Sequence, residues 1–85
     1  MRRVLFENNA LSDFTNWATE NKKIFDRIVK LLDEIRRTPF TGTGKPEPLK
    51  HNLKGYWSRR ITDEHRLIYK VSDDLIIVSS CYEHY

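Results

Sequence analysis

The spacing of hydrophobic residues changes along the chain, and these changes predict the order of its helices and strands. Arg3–Phe6 is a short run of apolar and β-branched residues that is typical of a strand. Between positions 9 and 37, apolar residues recur at helical spacing, which predicts a hairpin of two amphipathic helices. Asn21 interrupts this pattern, and Pro39 ends the second helix because the residue before a proline is disfavoured in the α region. The two apolar stripes consist of Leu11, Phe14, Trp17 and Ala18, and of Ile24, Ile28, Leu31, Leu32 and Ile35.

The second half of the chain is predicted to be a loop followed by strands. Positions 38–48 contain all three prolines and two of the three glycines, and a loop of that length is more often functional than incidental. Tyr56–Ile61, His65–Val71 and Leu75–Tyr82 are strand-like and are separated by short polar turns. A strand, a helical hairpin and an antiparallel β-meander predict an α+β fold, with both helices on one face of a largely antiparallel sheet. At 85 residues we expect a single domain, residues 1–85.

The composition is that of an ordinary globular domain with a mild excess of positive charge. Hydrophobic residues make up 39% and charged residues 32%, and the formal net charge is +3. This charge is compatible with a nucleic-acid partner and does not require one. The apolar run near the start, Val4–Phe6, is far too short for a signal peptide or a membrane span. We therefore expect a cytoplasmic protein without a membrane partner.

Cysteine and histidine usage argues against the commonest disulfide and metal sites. Cys81 is the only cysteine, so neither an intrachain disulfide nor a cysteine-based metal cluster can form. His51 and His65 lack metal-ligand spacing with each other and with carboxylates. We expect no metal and no cofactor, and we expect Cys81 to be a small buried hydrophobic residue.

The segment Lys45–Arg66 carries an isolated carboxylate among many cations. Glu47 stands between Pro46 and Pro48, which restrict the backbone on both sides of it. A carboxylate surrounded by cations suits a site that binds a polyanion and moves a proton on it. The basic residues of the segment are Lys45, Lys50, Lys54, Arg59, Arg60 and Arg66.

The arginines of this segment fall on two neighbouring predicted strands. If Ile61 pairs with His65 across a short turn, Arg60 lies opposite Arg66, and a slip of one residue puts Arg59 in that place instead. Like charges that face each other across a strand pair cost stability. Their presence in the fold therefore suggests an external anion.

These residues match the requirements of RNA cleavage without a metal ion. In that reaction the ribose 2′-OH attacks its own phosphate, which requires a base, an acid and positive charge around the phosphorane. Glu47 is a candidate base and His84 a candidate acid. The candidate cations are Arg66, Arg60 and Lys50, and the candidate platforms for stacked bases are Tyr56, Trp57 and Tyr85.

Each candidate also has a simpler interpretation. Glu47 fits a solvated turn, and Trp57 fits a position in the core. Arg59, Arg60 and Arg66 fit ordinary surface charges on strands. By composition and pattern, the chain is therefore only a basic α+β domain that is compatible with RNA binding.

The central stretch of the chain also resembles a known family. Residues 36–71 read RRTPFTGTGKPEPLKHNLKGYWSRRITDEHRLIYKV. This stretch closely resembles the YoeB toxins of the RelE/ParE superfamily, in which it reads much like RRTPF-G-GKPEPLK-NL-G-WSRRI--EHRLVY. An early strand, two helices and a terminal His-Tyr agree as well. One departure is the ending Tyr82-Glu83-His84-Tyr85, where the family commonly has a run like Arg-Tyr-His-Tyr.

The resemblance implies a function and a set of partners. YoeB-like toxins are ribosome-dependent mRNA endonucleases of type II toxin–antitoxin systems, which cut the codon in the ribosomal A site and stop translation. A YefM-like antitoxin neutralises the toxin, and the pair binds operator DNA through the antitoxin. Family members can also form homodimers.

The resemblance also assigns roles to residues of this chain. The general base falls on Glu47, the transition-state arginine on Arg66, and the acid on His84 next to the terminal Tyr85. Supporting phosphate contacts fall on Lys50 and Arg60, and we expect Lys45, Arg59 and Trp57 to contact RNA as well. Two other functions stay open: an RNA or ribosome binder that does not cut, and a gyrase poison, against which Glu47, His84 and Tyr85 argue.

Overall fold

A computed structural model describes residues 1–82 of the chain. The predictions for His84 and Tyr85 therefore lie outside the described residues. The predicted order of a strand, a helical hairpin and a series of strands is confirmed. The elements are β1 (Arg3–Phe6), α1 (Asn8–Glu20), α2 (Lys22–Ile35), β2 (Glu47–Pro48), a 3₁₀ turn (His51–Leu53), β3 (Tyr56–Arg60), β4 (Arg66–Val71) and β5 (Leu75–Ser80).

The strands form one mixed sheet of five strands in the order β1-β5-β4-β3-β2. Neighbours from β2 to β5 are antiparallel, which confirms the predicted meander. Strand β1 joins the edge parallel to β5, with Arg3 opposite Leu75 and Phe6 opposite Val78. A parallel pair needs a long crossover connection, and the chain between β1 and β5 supplies it. Strand β2 was not predicted, because it has only two residues and lies inside the proline-rich loop.

The helical hairpin turns at Asn21, which separates the two helices. Its backbone is extended, and its side-chain oxygen accepts a hydrogen bond from the Ile24 amide at 3.2 Å. An asparagine in this position satisfies an amide that the first turn of α2 leaves without a backbone partner. At the other end, α2 ends at Ile35, two residues sooner than the sequence pattern predicts, and the amides of Arg37 and Thr38 both donate to the Glu34 carbonyl.

The core lies between the helical hairpin and one face of the sheet. Side chains that alternate along β4 and β5 face the helices, among them Tyr69, Ile76 and Val78, all fully buried. Both helices contribute to this same cluster, with Trp17 from α1 and Ile28 from α2. Both helices therefore cover one face of the sheet, as predicted, and neither helix packs on the opposite face. Within residues 1–82, none of the helices is both long enough and apolar enough to span a bilayer.

The thiol of Cys81 is buried in this core, as predicted, and its reactivity offers a test of the packing. Burial, together with the negative charge of Asp13, raises the pKa of Cys81 to about 12. A raised pKa leaves very little thiolate, which is the nucleophilic form, at pH 8. We expect iodoacetamide to label Cys81 far more slowly in native protein than in protein unfolded by urea, as measured by mass spectrometry. Equal labelling rates in the two states would show that the thiol is not packed in this way.

Candidate active site

The face of the sheet that turns away from the helices carries the predicted carboxylate. Strand pairing places Glu47 opposite Ser58, Ser58 opposite Ile68, and Ile68 opposite Ser80. Side chains that are directly opposite share a face of the sheet. These residues therefore form a row across β2 to β5 on one face, which we call the open face.

Two arginines lie on the open face beside this row. Arg60 and Arg66 are paired directly, and the bond from the Ile61 amide to the His65 carbonyl (3.0 Å) closes the turn between their strands. Arg60 lies two residues after Ser58, and residues two apart in a strand share a face. Of the two registers that the sequence left open, the structure therefore has the one that pairs Arg60 with Arg66, and both side chains belong to the face that carries Glu47.

The guanidinium of Arg66 is held by the turn that precedes its strand. Its Nη1 donates to the carbonyls of Thr62 (2.8 Å), Asp63 (3.1 Å) and His65 (3.2 Å). Hydrogen bonds from a charged donor are stronger than those between neutral groups. Arg66 is half-buried and keeps a fixed position at the start of β4, whereas Arg60 is exposed.

Glu47 itself is exposed on an edge strand and is held through its backbone neighbours. The Gly44 carbonyl accepts from the Arg60 amide at 2.7 Å, and the Leu49 amide donates to the Tyr56 carbonyl at 2.9 Å. These bonds attach the chain to β3 on both sides of Glu47. Pro46 and Pro48 add stiffness, because the proline ring restricts φ.

The predicted lysines are exposed near this strand. Lys50 and Glu47 line the same open cavity of about 400 Å³, which runs along Glu47–Leu53. Lys45 is also exposed, and its φ of 51° marks a tight bend before β2. The structure therefore brings Glu47, Lys50, Arg60 and Arg66 to one side of the molecule.

Trp57 is on the other face of the sheet. It is opposite Tyr69, it packs partly buried against the core, and its ring centroid is 4.9 Å from that of Phe40. The simpler interpretation of Trp57 as a core residue agrees with this position. Trp57 is therefore not a neighbour of Glu47 on the open face.

Arg59 is fully buried, and the prediction that it contacts RNA is wrong for that reason. In β3 it follows Ser58 and so faces the helices, where its exposure is 0%. Its Nη1 pairs with the Glu34 carboxylate at 2.6 Å. The hydrogen bond from the Thr43 amide, followed by the pairing with Arg59, lowers the pKa of Glu34 despite the opposing effect of burial. The buried guanidinium and the partly exposed carboxylate therefore form a charged pair at the edge of the core.

Two residues near the site were not predicted from the sequence to take part in it. Ser58 is 2% exposed and directly opposite Glu47. Glu34 holds Arg59 from a different element, α2. A short strand inside a proline-rich loop gives no periodic signal, and the pairing of Glu34 with Arg59 joins residues far apart in the chain.

Within residues 1–82, no three His, Cys, Asp or Glu side chains are placed to hold a metal ion together.

Comparisons with known proteins agree with this fold. A family described as a YoeB-like toxin of bacterial type II toxin–antitoxin systems matches residues 6–85. Toxin YoeB of Escherichia coli strain K12 is 48% identical over 83 residues, which is 98% of this chain and 99% of that protein. The toxin in a YoeB–YefM complex from Staphylococcus aureus is 44% identical with a TM-score of 0.91, over 100% of this chain and 99% of that one. A YoeB dimer from the same organism is 44% identical with a TM-score of 0.91, over 99% and 98% of the two chains.

The family match over residues 6–85, together with this fold, shows the class of protein: a toxin of a bacterial type II toxin–antitoxin system. Within this class, the chain belongs to the family of YoeB-like toxins. The resemblance seen in residues 36–71 is thereby confirmed and extends over nearly the whole chain.

Proposed function

We propose that this toxin is a ribosome-dependent endoribonuclease that cuts mRNA in the ribosomal A site. The observation that supports this most is the placement of Glu47, Arg60 and Arg66 on one face of the sheet, in β2, β3 and β4. A carboxylate on the same face of the sheet as two guanidiniums offers both a proton acceptor and charge for a phosphate. The membership of the chain in the YoeB-like toxins supports the same reaction.

In the proposed mechanism, Glu47 accepts the proton of the ribose 2′-OH as that oxygen attacks the adjacent phosphorus. The bond from phosphorus to the 5′-oxygen of the next nucleotide then breaks, which leaves a 2′,3′-cyclic phosphate and a 5′-OH. Arg66 and Arg60, with Lys50 at the cavity edge, stabilise the negative charge of the phosphorane. Because the turn carbonyls already hold Arg66, little reorganisation is needed when that charge develops.

The leaving 5′-oxygen needs a proton, and we assign that step to His84, with Tyr85 beside it. Both residues lie outside the described part of the chain, so this assignment depends on the resemblance to YoeB toxins. No metal ion takes part in the proposed reaction. Lys45 remains a candidate contact to the RNA backbone.

We further propose that a YefM-like antitoxin binds and inhibits this protein in the cytoplasm. The YoeB–YefM complex from S. aureus supports a partner of this kind, and the YoeB dimer from that organism supports self-association as a homodimer. Operator DNA would be reached only through the toxin–antitoxin complex. Residues 1–85 would act as one toxin domain.

The proposed function is tested by mapping mRNA ends in a purified translation system. Programmed ribosomes are incubated with and without the toxin, and new 5′ ends are located by primer extension. We expect cleavage within the codon in the A site, no cleavage of the same mRNA without ribosomes, and inhibition by a YefM-like antitoxin. Stalled ribosomes on intact mRNA would identify a binder that blocks the A site instead, and cleavage of free mRNA would remove the ribosome requirement.

A further inference from the structure

Arg59 uses its full hydrogen-bonding capacity inside the fold. A guanidinium has five N–H donors, and here each of them has an acceptor. Nε donates to the Tyr69 hydroxyl (3.1 Å), Nη1 to Glu34 Oε1 (2.6 Å) and the Thr43 carbonyl (3.1 Å), and Nη2 to the carbonyls of Thr38 (2.6 Å) and Thr41 (2.8 Å). Three of these acceptors are backbone carbonyls of the loop that precedes β2.

The two side-chain partners of Arg59, Glu34 and Tyr69, also bind the same loop directly. The Glu34 carboxylate accepts from the amide of Thr43 at 2.6 Å and from its hydroxyl at 3.0 Å. The Tyr69 hydroxyl donates to the Pro39 carbonyl at 2.7 Å. We call Arg59, Glu34 and Tyr69 the loop clamp, because they attach residues 38–43 to β3, α2 and β4.

The conformation of the loop depends on a glycine that lies against this clamp. Gly42 has a φ of +119°, which L residues rarely adopt, and a Cβ there would lie 1.9 Å from Glu34 Oε1. A side chain at this position would therefore be strained by its φ and would require the Glu34 carboxylate to move out of the clamp.

The clamp ends immediately before the strand that carries Glu47. Thr43 is its last attachment point, and the carbonyl of the next residue, Gly44, accepts from the Arg60 amide. Strand β2 has only two residues at the sheet edge, and Pro48 has no amide proton for the ladder. The loop that the clamp holds therefore sets where the chain enters β2 and is one of the constraints on the position of Glu47. In β3, the side chain of the clamp residue Arg59 faces the helices. Its neighbours in the chain, Ser58 and Arg60, lie on the open face.

From these contacts we infer that Arg59, Glu34 and Tyr69 are positioning residues that hold Glu47 at the reacting 2′-OH, without touching the RNA. This inference deepens the proposed function and rests on it. A catalytic base misplaced by about 1 Å can lose roughly 10²-fold in rate. The clamp thus adds a role in catalysis to the stability that the Arg59–Glu34 ion pair contributes.

Two mild variants of the clamp test this inference. Glu34→Gln keeps the side-chain shape but removes the charge that pairs with Arg59, and Tyr69→Phe removes only the hydroxyl that links Arg59 to Pro39. Asp33→Asn is the matched control, because Asp33 directly precedes Glu34 in α2 and its ion pair with Arg37 is exposed. We expect single-turnover cleavage on saturated ribosomes to fall about 10–100-fold in both clamp variants. Half-saturating toxin concentrations should be unchanged, and Asp33→Asn should match wild type.

A double-mutant cycle separates positioning of Glu47 from a general loss of structure. Substitutions that act through the same group have non-additive effects. If Glu34 acts through Glu47, adding Glu34→Gln to a Glu47→Gln protein should therefore cause no further loss of the residual rate. Amide hydrogen exchange gives a second readout: the amides of Thr43 and Arg60 should exchange faster in both clamp variants, while core amides such as that of Val78 keep their protection.

Each other outcome has a definite meaning. Full activity in both clamp variants, or additive effects in the cycle, would overturn the positioning role while leaving the proposed nuclease in place. If wild-type toxin itself leaves ribosome-bound mRNA intact, the proposed function fails and this inference fails with it. Should Glu34→Gln not fold, Tyr69→Phe decides the question alone, because it removes a single oxygen atom.

Discussion

Replacing Glu47 by glutamine is expected to lower the rate of mRNA cleavage by about 10²–10⁴-fold, the range that general acid–base catalysis typically contributes. Glutamine has nearly the same size and shape, but its amide cannot accept the proton of the 2′-OH. Glu47 is exposed on an edge strand of two residues, so the core should not change. The measurement is the single-turnover rate on programmed ribosomes, together with the thermal midpoint of unfolding.

The matched control for this variant is Glu20→Gln. Glu20 is an exposed carboxylate at the end of α1, on the side of the sheet opposite the open face. The same chemical change there should leave cleavage within about twofold of wild type, as surface substitutions away from special features usually do little. If Glu47→Gln cleaves as fast as Glu20→Gln, another group is the base.

Replacing Arg59 by methionine is expected to remove a large part of the stability of the fold. Methionine fills a similar volume but has no donors, so the Glu34 carboxylate and the Tyr69 hydroxyl each lose one of their hydrogen bonds, and three loop carbonyls lose the guanidinium. Removing one partner of a fully buried ion pair typically costs about 3–5 kcal/mol. Because the Glu34 side chain that is left behind is 30% exposed, we expect a loss near the lower end of that range, about 3 kcal/mol. The free energy of unfolding of a domain of this size is roughly 4–13 kcal/mol. At roughly 4–8 °C per kcal/mol, the midpoint of thermal unfolding should fall by at least about 12 °C.

The neighbouring arginine provides the control for that experiment. Arg60→Met makes the same change one position later, on the open face, where Arg60 is exposed and opposite Arg66. Its removal relieves a like-charge pairing, so the midpoint should stay close to that of wild type or rise slightly. Circular dichroism during heating and urea titration measures both variants. Equal losses in the two variants, or no loss in Arg59→Met, would contradict the buried network described above.

The two arginines next to each other in β3 therefore separate activity from stability. A change at Arg60 removes charge from the open face, and a change at Arg59 removes an internal support. Loss of toxicity in cells alone would not distinguish these two effects, because an unfolded toxin is also harmless. Variants of this chain should thus be compared for both unfolding and cleavage before a catalytic role is assigned.

Local patterns in the sequence were enough for most elements of the fold. The helical stripes predicted α1 and α2, because a helix repeats its buried face at a spacing that is visible within a short window. The short turn after Ile61 limited the residue opposite Arg66 to Arg60 or Arg59, since hairpin register depends on residues close in the chain, and the structure has Arg60 there. Glu47 and Arg66 stood out by their chemistry and by the resemblance to YoeB toxins, and their roles remain proposals, as do those of His84 and Tyr85.

Only the tertiary structure decided on which face of the sheet each side chain lies. Arg59 and Arg60 are chemically identical neighbours, yet one is buried with Glu34 and the other lies beside Arg66 on the open face. The parallel pairing of Arg3–Phe6 with β5 joins opposite ends of the chain, and the pairing of Glu47 with Ser58 lies inside a loop without periodicity. Such contacts form between segments far apart in sequence, so no short window contains both partners. The sequence by itself therefore determined the elements and the candidate chemistry, and long-range packing decided which of the cations face the carboxylate and which hold it in place.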